Sequence, residues 1–140
     1  MNALGLFLAG TGLSNAAFAR ALERMLGVIG ETPEAVAGET VRRWTQDIAS
    51  RDFNRPKASF MKAIFVLTDG QVKPDAFAAM PPLDAKLRAE AKRIIAEVAA
   101  NAASRRHAAR AKGAKMSARS RARQARVRAA GGAQARRAGA

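Results

Sequence analysis

Ser14-Asn15-Ala16-Ala17-Phe18-Ala19-Arg20 and Gly38-Glu39-Thr40-Val41-Arg42-Arg43-Trp44 carry the strongest structural signals in this chain. The first opens on a serine, whose hydroxyl can accept a bond from a free backbone N–H at a helix start. Phe18, Leu22, Met25 and Leu26 then recur at helical spacing, so a helix is predicted over 15–26, stopped by Gly27. In the second stretch Val41, Trp44 and Ile48 recur at i, i+3 and i+7. They predict a helix over 39–49 with these three residues facing inward. Glu39, Thr40, Arg42, Arg43 and Gln46 are left on its outer face.

Working outward, Leu4, Phe7 and Leu8 give one apolar face to a short helix over 2–9, ended by Gly10-Thr11-Gly12. Thr32-Pro33-Glu34 reads as a cap, a first-turn proline and a first-turn acid, predicting a short turn of helix through Val36. Gly38 either breaks that turn or caps the next helix. Residues 51–57 form a basic connection, broken by Pro56. Phe60, Ile64 and Leu67 line a helix over 58–67, and Asp69-Gly70 signals a turn. Val72 and Phe77 are expected to fold back onto the core, with Asp69 and Asp75 as helix caps, before Pro81-Pro82. Leu83, Leu87, Ile94 and Val98 form a narrow stripe on a long helix over 83–104. That stripe either packs on the domain or pairs with a second copy.

Charge divides the chain. Residues 1–84 hold nine Lys/Arg and nine Asp/Glu, so the net +14 comes entirely from residues 85–140. Beyond Asn101 there are twelve Lys/Arg and no acid. Such a run attracts a polyanion, most readily nucleic acid, and its self-repulsion disfavours compaction. The reading is therefore an all-α chain in three parts: a bundle over 1–80, the long helix over 83–104, and a disordered Arg/Ala-rich tail over 105–140. Alanine and arginine favour helix, so parts of the tail are expected to become helical on an anion.

Other chemistry is thinly represented. There is no Cys, hence no disulfide or thiolate site, and the single His107 sits among arginines. No Gly-rich phosphate loop and no nucleophile–base pair is present, so neither an enzyme nor a cofactor is expected. The apolar run from Ala3 to Ala9 is short and lacks a preceding basic residue, which argues against a secretory signal. No stretch is long enough for a membrane span. A cytoplasmic, nucleoid-associated protein is the expectation.

Helix, connection, helix and then a basic loop is the layout of a DNA-reading helix-turn-helix module. The second helix of such a module needs an apolar inner face and polar or cationic groups outside. Glu39, Thr40, Arg43 and Gln46 are the candidate base-contacting residues, since arginine suits guanine, glutamine suits adenine and threonine can meet a thymine methyl. Arg42, Arg51, Arg55 and Lys57 suit phosphates, as do Arg105, Arg106, Arg110, Arg119, Arg121 and Arg123 of the tail.

The two opening stretches resemble bacterial and phage regulators of the lambda-repressor/Cro-like helix-turn-helix superfamily. The run Thr68-Asp69-Gly70-Gln71-Val72-Lys73-Pro74-Asp75-Ala76-Phe77 is similar to the end of such domains. The resemblance covers residues 2–80. It implies that the Phe18-Ala19-Arg20 segment belongs to a scaffold helix and the Thr40 to Trp44 segment to the recognition helix. The chain departs from the pattern in two places. About a dozen residues, Gly27 to Gly38, stand where the family has a tight turn, and Ala16 or Ala17 replaces the usual scaffold glutamine. The tail resembles the Ala/Arg/Lys-rich tails of bacterial chromatin proteins.

The implied function is a transcription regulator of phage type that binds double-stranded DNA. Such domains often act as dimers on palindromes, and the oligomeric state of this chain is left open between a monomer and a homodimer. Two rival readings differ in what they need. A non-specific architectural DNA-binding protein needs only the tail. A module bound to RNA polymerase or a sigma factor needs a protein-docking surface instead.

Overall fold

The computed structural model describes residues 1–73 and 80–138, with side chains through residue 132. It divides into two compact units, Met1–Ala102 and Ala103–Ala140. Helices are the only regular elements among the described residues: α1 (Ala3–Thr11), α2 (Asn15–Val28), α3 (Gly38–Trp44), α4 (Ala58–Leu67) and α5 (Ala85–Ala138). The all-α expectation therefore holds. Phe77 and Asp75, for which a fold-back and a cap are expected, lie outside the described residues, as does the end of the Thr68 to Phe77 motif.

The caps explain most boundaries. The Oδ1 of Asn2 accepts from Gly5 N at the start of α1, and Gly12, at φ 68, ends it. Ser14 caps α2 as its sequence predicts, its hydroxyl accepting from Ala17 N at 3.2 Å. Gly27, however, lies inside α2. The helix runs on to Val28 and stops at Gly30, whose φ is 78. Glu31 N donates to Leu26 O and Gly30 N to Gly27 O, the paired bonds of a Schellman stop. A left-handed residue is needed where those bonds close, and Gly30 is the glycine at that register. Asp84 opens α5, its Oδ1 accepting from Leu87 N at 2.7 Å.

The connection between α2 and α3 contains no helical turn, so the turn expected through Val36 does not form. Its acids reach across to α4 and the residue before it. Glu31 pairs with Lys62 at 2.6 Å, and Glu34 with Lys57 at 2.8 Å. Ile29 and Val36 pack against the core. These side chains have tertiary partners, which a local helix would have to give up.

The core of the first unit gathers Leu4 and Leu8 of α1, Phe18, Leu22, Met25 and Leu26 of α2, Val41 and Trp44 of α3, and Phe60, Ile64 and Leu67 of α4. Trp44 and Phe60 meet with ring centroids 5.2 Å apart. Ala91, Ile94 and Val98 of α5 are buried in the same cluster, with Leu83 and Leu87 packed against it. The stripe on the long helix is thus spent inside the unit, not left as a seam for a second copy. Arg24 of α2 and Glu97 of α5 form an ion pair, and the Arg24 hydrogen bond holds the Glu97 carboxyl below the ordinary carboxylate range.

Thr68 gives the Thr-x-Gly-x-Val run its role. It is fully buried, and its Oγ1 accepts from Val72 N at 3.2 Å while donating to Phe65 O. Asp69 and Gly70 both take positive φ there, 50 and 76. A side chain at Gly70 would also press on Leu83 and Phe65. Asp69 pairs with Arg88 at 3.0 Å instead of capping a helix through its carboxylate.

In the second unit the expected disorder from Arg105 is replaced by helix, which α5 continues to Ala138. Alanine loses no side-chain entropy on entering a helix and arginine loses little, so local propensity favours this state without packing. Every side chain described from Ala103 to residue 132 is exposed.

Candidate nucleic-acid interface

The α3 helix is shorter than expected, and Asn2 satisfies the carbonyls at its end. The chain was expected to stay helical to residue 49, but α3 ends at Trp44. Continuation would require Trp44 O, Thr45 O and Gln46 O to accept from residues 48, 49 and 50. Asn2 takes all three. Its Nδ2 donates to Trp44 O at 2.6 Å and to Gln46 O at 2.9 Å, and its backbone N donates to Thr45 O at 3.3 Å. Ile48, expected to face inward, is consequently off the helix and 74% exposed. Val41 and Trp44 are buried as expected.

The other end of α3 is set by close packing. No side chain caps it; Ala37 holds the N-cap position. Gly38 is the first helical residue, and a Cβ there would lie 3.0 Å from the backbone N and Cα of Ala16. The small pair Ala16/Gly38 therefore lets the starts of α2 and α3 touch. Gly38 neither breaks the chain nor caps it but allows this approach.

Two groups of candidate residues emerge. On α3, Glu39 and Arg43 are exposed, and Arg42 is half-exposed. Glu39 receives two bonds from Arg42, at 2.7 and 2.8 Å, and lies 3.7 Å from Arg43 Nε. The hydrogen bond from Arg42 holds the Glu39 carboxyl below its ordinary range, and the same contact raises Arg42. Glu39 thus acts first as an internal counter-ion for the two arginines. The second group lines a recess of about 250 Å³: Thr40, Trp44, Asn54, Arg55 and Lys57 with Glu34. Thr40 is thereby brought together with two of the basic-loop cations. Gln46 turns back, its Nε2 donating to Arg42 O at 3.3 Å, and Arg51 is exposed in the turn that follows.

The expected tail contacts Arg105, Arg106, Arg110, Arg119, Arg121 and Arg123 all lie on α5 and are exposed. Asn2 was expected as the first residue of a helix and Glu34 as a first-turn acid. Their tertiary roles, Asn2 on residues 44–46 and Glu34 with Lys57, are not read from the sequence. Asn2 carried one signal, as an asparagine directly before an apolar helix. Its second role, on residues 44–46, has no local signature. Among the described residues no group of acids and histidine could hold a metal, and no helix is long and apolar enough to cross a membrane. Comparisons with protein-family models, curated proteins and solved structures found no match to this chain.

Proposed function

We propose that the chain is a DNA-binding transcription regulator of the helix-turn-helix type. In this reading α3 presents Thr40 and Arg43, with Glu39, to base edges in the major groove, and Gln46, which follows α3, joins them only by releasing its bond to Arg42 O. Arg42, Arg51, Arg55 and Lys57 hold flanking phosphates, and the cationic helix of residues 105–138 supplies affinity without sequence preference. The observation that carries the reading is the mounting of α3. Its inner face is buried through Val41 and Trp44, its start lies against α2 at Ala16/Gly38, and its end is tied to α1 by Asn2. A helix that reads bases must be held in place while its outer face stays polar, and these contacts support that reading.

A second reading has its own observation. The first unit carries no net charge up to residue 84, and both α3 arginines face Glu39. A non-specific architectural protein would show this neutrality over the part of the chain that carries α1 to α4 and leave DNA to the tail. Photo-crosslinking of the full chain to duplex DNA, read by mass spectrometry, separates the two. Crosslinks within residues 38–57 as well as on the tail support the regulator. Crosslinks confined to residues 105–138 assign the architectural role.

A further inference from the structure

The cations of the second unit are not spread evenly around α5. At about 100° per residue, Arg105, Lys112, Lys115, Arg119, Arg123 and Arg126 fall within an arc of roughly 80°. Arg106, Arg110, Arg121 and Arg128 fall within a second arc of roughly 60°, centred about 170° from the first. One intervening face is almost wholly alanine: Ala111, Ala114, Ala118, Ala122, Ala125 and Ala129. The helix therefore carries two opposed cationic ridges with a slim methyl-lined face between them. It is exposed along this whole length, so no part of the fold accounts for the pattern.

Two opposed ridges match a ligand with two rows of anions and a gap between them. A B-DNA major groove is such a ligand. It is about 12 Å wide and admits one α-helix, with a phosphate strand along each edge. From Arg105 to Arg128 the helix rises about 35 Å. Because it is straight and the groove winds round the duplex, a few turns of it sit in the groove at once. Both ridges run along its length, so any such segment presents cations to both edges. We propose that residues 105–128 bind as a preformed helix within the major groove of double-stranded DNA. Each ridge faces one phosphate strand, and the alanine face turns to the groove floor. The inference rests on the DNA-binding reading above and deepens it, because it makes the placement of the cations matter as well as their number. Alanine offers methyl contacts but no hydrogen bond, so this helix adds affinity without reading sequence.

The test uses two full-chain variants of unchanged composition. One moves three cations of the smaller ridge onto the alanine face by neighbour exchange: Arg110→Ala with Ala111→Arg, Arg121→Ala with Ala122→Arg, and Arg128→Ala with Ala129→Arg. The other shifts cations along the larger ridge and keeps it intact: Lys112→Ala with Ala108→Lys, and Arg126→Ala with Ala130→Arg. Binding to random-sequence duplex DNA is titrated across salt concentrations, with duplex RNA as a second probe. The first variant is expected to bind DNA about tenfold more weakly, its log–log salt slope shallower by roughly 2 to 3, as loss of three phosphate contacts implies. The second is expected to match the parent. Duplex RNA, whose major groove is too narrow for side chains, is expected to bind more weakly than DNA. Equal affinity and slope for both variants, or equal binding of DNA and RNA, overturns the groove placement and leaves DNA binding by the chain intact. Failure of the parent chain to bind duplex DNA at all removes both readings.

Discussion

Asn2 links the start of α1 to the end of α3, and its replacement tests how that end is anchored. Asn2→Ala removes the Oδ1 that accepts from Gly5 N and the Nδ2 that donates to Trp44 O and Gln46 O. Loss of an N-cap costs about 1 kcal/mol. Each lost side-chain bond to a carbonyl costs about 0.5–1.5 kcal/mol. The sum is about 2–4 kcal/mol, a large share of the roughly 5–15 kcal/mol that holds a domain folded. For a unit of this size that corresponds to a fall in Tm of roughly 10–20 °C. The single tryptophan, Trp44, is buried at this junction, so its fluorescence during urea or thermal unfolding of the full chain reports on it directly. Asn2→Asp separates the two roles. The aspartate retains the cap acceptor but places a carboxylate against two carbonyl oxygens, and it is expected to be at least as destabilising as alanine. An Asn2→Ala loss below about 0.5 kcal/mol, or an Asn2→Asp protein as stable as the parent, would refute the argument that Asn2 anchors the end of α3 to the start of α1.

Other consequences follow from the same contacts. Gly38→Ala presses a methyl onto the Ala16 backbone and is expected to cost about 1–3 kcal/mol, read by the same unfolding curve. Glu39→Gln removes the counter-ion of Arg42 and Arg43 and a negative charge from the proposed DNA face. Non-specific duplex binding should tighten several-fold, with a salt slope steeper by about 1–2 if both arginines reach phosphate; unchanged affinity would show that this face does not meet DNA. Glu39 and Glu97 both have carboxyls held below the ordinary range by their arginine partners. The folded chain therefore binds fewer protons there than the unfolded one. Their contribution is complete above the ordinary carboxylate range and is lost as pH falls through the lowered values. Thermal melts between neutral and strongly acid pH should show this loss, and Glu97→Gln should flatten it.

Local chemistry made some elements legible and left others hidden. Ser14 and the Phe18 to Leu26 stripe announced α2, because cap and periodicity lie within a few residues of each other. The burial of Ala91, Ile94 and Val98 was written in their spacing, although only the fold could say that the stripe packs within its own unit. The end of α3 was hidden, since the group that stops it lies 42 residues earlier. The exposure of Ile48 follows from the same distant cause. Gly27 was expected to stop α2, and only the bond pattern at Leu26 and Gly27 moves the stop to Gly30. In the candidate interface, the outward placement of Glu39, Thr40, Arg42 and Arg43 was readable from the Val41/Trp44 face. That Glu39 would engage both arginines, and that Gln46 would turn back to Arg42 O, depends on side-chain geometry that periodicity does not encode.

The measurement that bears most directly on the proposed function is selection of binding sites from random duplex DNA at physiological salt, with the full chain and with Arg43→Ala. The account predicts that the full chain enriches a defined motif. It also predicts that Arg43→Ala still binds DNA but loses preference at one base position, at a cost of about 1–3 kcal/mol on the selected site. Enrichment of no motif by the full chain, or of an unchanged motif by Arg43→Ala, would contradict base reading through Arg43 on α3.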